Sequence, residues 1–245
     1  MRWTTAPTPS STIEPGTLTQ VDTTGQTLTL APLHDAHGSE VLPERKLSYD
    51  YLVLATGSQS NDFGTPGVRD NCLFMDSRAQ AERFRERFLN ACLHANHESK
   101  PVSVAIVGGG ATGVELAAEL HHAVSMLNFY GHEHLDRKHL QVDIIEAAPR
   151  ILPVLSERVS ATATKRLEGL GVKVRTGVMV AEATPEALVP KDGDPIKADL
   201  LVWAAGVKCP EWLSQIDGLT TNRINQVEVE PTLQAKGQKN IFIIG

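Results

Sequence analysis

The chain has 245 residues, 41% hydrophobic and 21% charged, with 23 Lys and Arg against 29 Asp and Glu for a formal net charge of −6. That length serves one large domain or two small ones, and an acidic balance without a clustered basic run excludes nucleic acid as the main partner. The first residues lack the apolar core of a secretory signal, and no stretch approaches the roughly 18 apolar residues of a membrane-spanning helix, so the chain is expected to be soluble.

Residues 17–31, "TLTQVDTTGQTLTLA", alternate β-formers around a Gly-containing turn and predict a hairpin. "APLHDAHGSEVLPERK" reads as a loop or long hairpin connection, and Tyr51–Ala55 as a compact strand stopped by Thr56-Gly57. "SNDFGTPGVRDN" is turn chemistry throughout. Residues 76–95 predict a helix capped by Asp76 or Ser77, with Ala81, Phe84, Phe88, Cys92 and Ala95 as its apolar stripe. "RFRER" within it, broken by Phe84 and Glu86, is a solvated face.

"VSVAIV" (102–107) predicts a fully buried strand, and 112–128 a helix with Leu116, Leu120, Val124 and Leu127 on one face. "QVDIIE" (141–146) is a second buried strand, 156–171 a helix ending at Gly171, and "VKVRTG" a third strand. Residues 177–204 read as short strands with turns at Pro185 and "KDGD", closing in strand 199–204; 226–231 and 240–245 are again strands. The order β-α-β-α-β over 102–176 predicts an α/β, Rossmann-like parallel sheet with an antiparallel β excursion.

The strand 102–107 runs straight into Gly108, Gly110 and Gly113, a G-x-G-x-x-G knot opening a helix. The first glycine permits the tight turn, the second lets a pyrophosphate approach the backbone, and the third lets helix and strand pack closely. The helix start then offers free N–H groups and the positive dipole end. The candidate cofactor-binding stretch is Gly108, Gly109, Gly110, Ala111, Thr112 and Gly113, and Glu146 at the tip of the next strand is placed to hold adenosine ribose hydroxyls. A 2′-phosphate about 4 Å from that carboxylate costs on the order of 4 kcal/mol at an effective dielectric of 20, which favours NADH over NADPH. Arg150, four residues on, could reach such a phosphate and tempers that preference, but is read first as a surface residue or an adenine contact.

"YDYLVLATGSQ", "VAIVGGGATGVELAAEL", "VDIIEAAPRILP", "ADLLVWAAGVK" and "NIFIIG" stand in the order found in two-dinucleotide flavoprotein reductases. From about residue 17 to 245 the chain resembles the type II NADH dehydrogenases, single-subunit NADH:quinone oxidoreductases of the FAD-dependent pyridine nucleotide-disulfide oxidoreductase superfamily. The resemblance implies an NADH domain (76–218) inserted in an FAD domain represented in part by 1–75 and by the return segment 219–245. It places Thr56 and Gly57 near FAD, and implies hydride transfer from NADH to FAD and electron transfer onward to a quinone. It likens Glu115 to a glutamate near the nicotinamide; Glu115 also reads as a first-turn acidic residue or as part of a Glu115/Glu119 polar face. Ala205-Gly206 would let backbone approach the cofactor, or simply end a strand.

The chain departs from that family in carrying no second GxGxxG for the FAD phosphates, and it stops at "IFIIG" before the expected flavin-binding Asp. The segment holding a quinone pocket and membrane-binding helices is not in these residues, so the chain reads as a fragment of a protein that is cytoplasmic and peripheral to the inner membrane. Two other readings share the same residues: a dinucleotide-binding module without turnover, and a related reductase with another acceptor. Cys72, Cys92 and Cys209 form neither a redox pair, a zinc spacing nor a disulfide framework, which points to a reduced setting. His121, His122, His132, His134 and His139 crowd one helix end and loop without companion ligands, so no metal is expected and a solvated loop is.

Overall fold

A strand that is apolar at nearly every position needs cover on both faces, and the segment 102–107 receives it from two different layers. The computed structural model describes residues 12–98, 100–129 and 139–244. Those up to Gly57, together with those from Cys209 on, form one compact unit; Ser58–Lys208 form another.

In the first unit, β1 (Leu18–Asp22), β2 (Thr27–Leu30) and β5 (Arg45–Ser48) make an antiparallel sheet in the order β1-β2-β5. Asp22 Oδ1 accepts the N–H groups of Thr24 and Gly25 and so builds the hairpin turn. The connection read as a loop contains its own hairpin, β3 (Leu33–His34) with β4 (Glu40–Leu42), folded over Asp35, whose carboxylate accepts from His37 and Ser39. β6 (Leu52–Leu54) is the predicted compact strand, and its parallel partner is the last strand of the chain. Val21, Leu54, Leu213, Val227 and Ile241 close this unit's core.

The second unit begins with a run read as turns throughout, yet α1 (Val68–Asn71) lies within it, anchored by a fully buried Val68. α2 (Arg78–Glu98) follows. Ser77 Oγ accepts from Gln80 N–H, and Gln80 Oε1 accepts from the N–H groups of Asp76 and Ser77, a reciprocal cap. Phe84, Phe88, Cys92 and Ala95 form its buried stripe, as the spacing predicted, with Ala81 half-buried.

β7 (Val102–Val107), α3 (Ala111–Phe129), β8 (Leu140–Glu146), α4 (Glu157–Leu170) and β9 (Lys173–Thr176) then alternate. β10 (Val180–Ala183), β11 (Ala187–Pro190) and β12 (Ile196–Lys197) form an antiparallel excursion, and β13 (Leu200–Trp203) returns to the parallel sheet. The sheet order is β13-β7-β8-β9, all parallel. Val102, Val104 and Ile106 face a core shared with α2, α3 and α4. Ala105 and Val107 face the opposite way, onto Val180, Leu188 and Ile196 of the excursion. Leu120 and Val124 are buried as expected and Leu116 is half-buried; the side chain of Leu127 lies outside the described residues. α4 is capped by Ser156 and ends at Gly171, whose φ of 95° lets its N–H reach back to the carbonyls of Leu167 and Glu168.

β14 (Ile241–Ile243) pairs with β6 in parallel, closing the first unit. Residues 226–231, read as a strand, make only isolated bridges, Thr221 with Val227 and Val229 with Ala235. The chain turns on either side of them, at Asn222 and at Leu233, before a ladder can extend. The compact units break earlier in the chain than the expected limits after residues 75 and 218. Leu73 N–H donates to Leu201 O and Trp203 N–H to Leu73 O, both at 2.8 Å, which joins that segment to β13; Cys209 N–H donates to Ile224 O at 2.9 Å.

Ile144 is fully buried at the centre of β8. Ile144→Ala is expected to cost about 2–5 kcal/mol, read as a lower urea midpoint of unfolding.

Candidate functional site

The C-terminal edge of the parallel sheet is built by glycines, two of which leave no room for a side chain. Gly108 follows β7 at φ +112°, and a Cβ there would stand 2.6 Å from Ala204 O. Its N–H donates to Ile145 O at 2.8 Å, tying the turn to β8. A Cβ on Gly113 would stand 2.0 Å from Gly108 O, so α3 can seat on the turn only through a glycine. Gly110 differs: a Cβ there would meet nothing within 4 Å. Steric crowding therefore explains Gly108 and Gly113 and leaves Gly110 facing open space.

α3 begins at Ala111, with Gly110 O accepting its first helical hydrogen bond from Val114 N–H. The N–H groups of Ala111, Thr112 and Gly113 consequently have no carbonyl one turn back within the helix. Ala111 and Thr112 are exposed. This is the arrangement that binds phosphate oxygens.

Glu146 ends β8 beside the turn. Its Oε2 accepts from Gly109 N–H and its Oε1 from Ala148 N–H, each at 2.7 Å. A carboxylate has about four acceptor positions, so half of its capacity remains for another donor. Gly109 is also closed in, with a would-be Cβ 2.8 Å from Ile151 and 3.0 Å from Glu146 Cβ, and its carbonyl accepts from Leu152 N–H. The Arg150 guanidinium donates to the carbonyls of Leu152 and Pro153, at 3.1 and 2.7 Å, and so is tied into its own loop.

Glu115 is exposed on α3, and since the helix starts at Ala111 it sits in the second turn, not the first as the sequence suggested. Gly206 has φ +63°, but the space its missing side chain leaves is filled by protein: a Cβ would lie 2.3 Å from the Phe63 ring and 3.1 Å from Asn61. Ala205 O accepts from Asn61 N–H at 3.3 Å, and Trp203 Nε1 donates to Asn61 O at 2.9 Å. Sequence reading missed this loop. The signal available was one large aromatic, Phe63, inside an otherwise polar and small turn run.

Thr56 and Gly57 belong to the first unit and follow β6, exposed, with open space where a Gly57 Cβ would stand. Thr56 lines a cavity of about 380 Å³ with Leu213, Val227, Leu233, Ile243 and Ile244. The histidines do not share one environment. His121 is buried within α3, and His132 and His134 lie outside the described residues. Among the described residues no three His, Cys, Asp or Glu side chains are grouped to hold a metal, and no helix is long and apolar enough to cross a membrane.

All three thiols are buried and unbridged. Burial pushes the Cys72 thiol up to about 12 and the Cys92 thiol to about 11, and raises Cys209.

Comparison with known proteins bears on the family and the fold. The model of the pyridine nucleotide-disulphide oxidoreductase family matches residues 12–245. A type II NADH:quinone oxidoreductase of Haemophilus influenzae is 43% identical over 95% of the chain and 56% of its own length. An external alternative NAD(P)H-ubiquinone oxidoreductase of Arabidopsis thaliana mitochondria is 30% identical over 84% of the chain and 38% of its own length. The chain thus spans about half the length, or less, of the curated relatives it matches. The NDH2 of Plasmodium falciparum, solved in complex with NADH, superposes with a TM-score of 0.76 at 23% identity over 93% of the chain and 48% of that protein. These matches bear out the sequence resemblance and the α/β fold with its parallel sheet.

Two outcomes follow from the geometry. Gly108→Ala and Gly113→Ala should each cost more than about 2 kcal/mol, whereas Gly110→Ala should cost under about 1 kcal/mol as a cap substitution; thermal melts of the three variants check this. The raised thiols hold their protons in the folded chain while unfolded thiols ionise near the ordinary value of 9.0. Their contribution is therefore intact below about pH 9 and is lost as pH rises toward 11–12. Urea titrations at neutral pH and above pH 10 should show stability falling in alkali.

Proposed function

Because the chain belongs to the pyridine nucleotide-disulphide oxidoreductase family, we propose that it carries the NADH-binding portion of a flavoprotein that passes a hydride from NADH to FAD and electrons on to a quinone. The relatives named NADH:quinone oxidoreductases support that reading. The single observation that carries it is the open Gly110 at the start of α3, set beside a Glu146 carboxylate already fixed by Gly109 N–H.

Gly108 and Gly113 shape the turn, and the N–H groups of Ala111, Thr112 and Gly113 receive the pyrophosphate across Gly110. The remaining acceptor positions of Glu146 take the adenosine ribose hydroxyls. The same carboxylate repels a 2′-phosphate by on the order of 4 kcal/mol at 4 Å and an effective dielectric of 20. Arg150, engaged with two carbonyls, does not offset this freely. Ala205-Gly206 and the exposed Glu115 flank the nicotinamide side.

Thr56 and the unhindered Gly57 fit one edge of a flavin, the group that supplies hydride acceptance and onward electron transfer when bound. A quinone acceptor fits a whole protein that is peripheral to the inner membrane on its cytoplasmic side.

Titration of the chain with NADH and with NADPH tests the reading, followed by the fluorescence of tryptophans including the buried Trp203. NADH is expected to bind and NADPH to bind much more weakly. Gly110→Val should abolish NADH binding by filling the approach to the turn, and unchanged affinity would overturn the assignment of that loop. Glu146→Gln should narrow the gap between the two nucleotides.

A further inference from the structure

The NADH reading fixes which half of the ligand lies over which strand, and this inference rests on it. Glu146 ends β8, the glycine turn follows β7, and Ala204–Gly206 follows β13, in the sheet order β13-β7-β8-β9. A dinucleotide with its adenosine ribose on Glu146 and its pyrophosphate over the turn runs its other half toward β13, about 10 Å from β8 at ordinary strand spacing. The residue packed on Gly206 at that position is Phe63.

Phe63 is anomalous in two independent ways. Its φ is +52°, uncommon for a bulky side chain. It is also 65% exposed, so hydrophobic burial does not account for a ring held in that conformation. The loop around it is over-determined. Gln59 and Lys208 exchange both backbone hydrogen bonds at 2.8 Å. Ser60 donates through N–H and Oγ to Asp76 Oδ1 at 2.9 and 2.7 Å. Asn61 Oδ1 accepts from Phe63 N–H at 3.0 Å. Asp62, buried, pairs with Arg69 Nε and lies 3.5 Å from Lys208 Nζ. A strained residue held rigidly by its surroundings, with its side chain turned out to solvent, is the pattern of a ligand contact.

We propose that Phe63 is a nicotinamide-side contact, its ring forming the apolar wall on which the nicotinamide half of NADH is seated. Gly206 is glycine so that the ring can stand there.

Binding of NADH and of ADP-ribose, which lacks the nicotinamide, to the wild-type chain and to Phe63→Gly, Phe63→Ala and Phe63→Tyr separates the possibilities. Glycine suits the positive φ, so Phe63→Gly removes the ring without adding backbone strain. NADH affinity should fall about tenfold in Phe63→Gly and Phe63→Ala while ADP-ribose affinity stays within about twofold, and Phe63→Tyr should bind both like wild type. Unchanged NADH affinity in Phe63→Gly overturns the inference. Equal weakening of both ligands also overturns it, because the ring would then only shape the loop. A wild-type chain that binds neither ligand overturns the NADH reading itself, and this inference with it.

Discussion

One contact governs the sheet edge: the start of α3 rests directly on the carbonyl of Gly108, where even a methyl group on Gly113 would stand 2.0 Å from oxygen. That proximity fixes the helix axis relative to β7, and with it the direction of the three unsatisfied N–H groups. The same turn is gripped from both sides. Ala204 crowds Gly108 from the β13 side, and Ile145 O accepts the Gly108 N–H from the β8 side. Glycine in a helix costs about 1 kcal/mol relative to alanine. Here the alternative, a displaced helix, would forfeit the packing of Leu120 and Val124 against the sheet.

The sheet beneath can hold this edge rigid because both of its faces are dry. Val102, Val104 and Ile106 alternate with Ala105 and Val107 between a helical layer and the three-stranded excursion β10-β11-β12. The small Ala105 is fully buried on the side where the excursion packs. Slipping any strand by one residue would exchange its two side-chain sets between the layers, so register is strongly specified. Fixed register at the strand centres becomes fixed position at their C-terminal ends, where Ala204, Gly108 and Glu146 follow one another across the edge.

What the sequence revealed was local, and what it concealed was distant. Val102–Val107 with the glycine turn, the Phe84-Phe88-Cys92-Ala95 stripe, and Gly171 at the end of α4 each carry their cause within a few residues. β5 is polar at Arg45 and Lys46 and is a strand because β2 lies beside it. Residues 226–231 alternate like a strand but meet partners only singly. Glu146 was legible as a carboxylate at a strand tip, whereas its two backbone donors were not, since Gly109 lies far back in the chain. The loop 58–67 was hardest. Its turn residues explained themselves locally, whereas Phe63 and Gly206 meet only across a long stretch of chain.

For a chain of net charge −6, the proposal of an anionic dinucleotide ligand meets an electrostatic objection. The geometry answers it without basic residues at the turn. Exposed charges more than about 8–10 Å away are screened at physiological ionic strength, so the sum over the surface matters less than the first few ångströms. Within that range stand neutral N–H donors and a helix dipole, which attract phosphate without a competing carboxylate partner. The Glu146 carboxylate is held by the N–H groups of Gly109 and Ala148. The nearby Arg150 is occupied by carbonyls. At the opposite end, Asp62 is neutralised by Arg69 and Lys208. Burial pushes its carboxyl up, but the hydrogen bonds from Arg69 and Gly64 and the two positive charges outweigh that and hold it below its ordinary value. Glu146 and Asp62 are thus each committed to partners of their own, and the space over Gly110 is open.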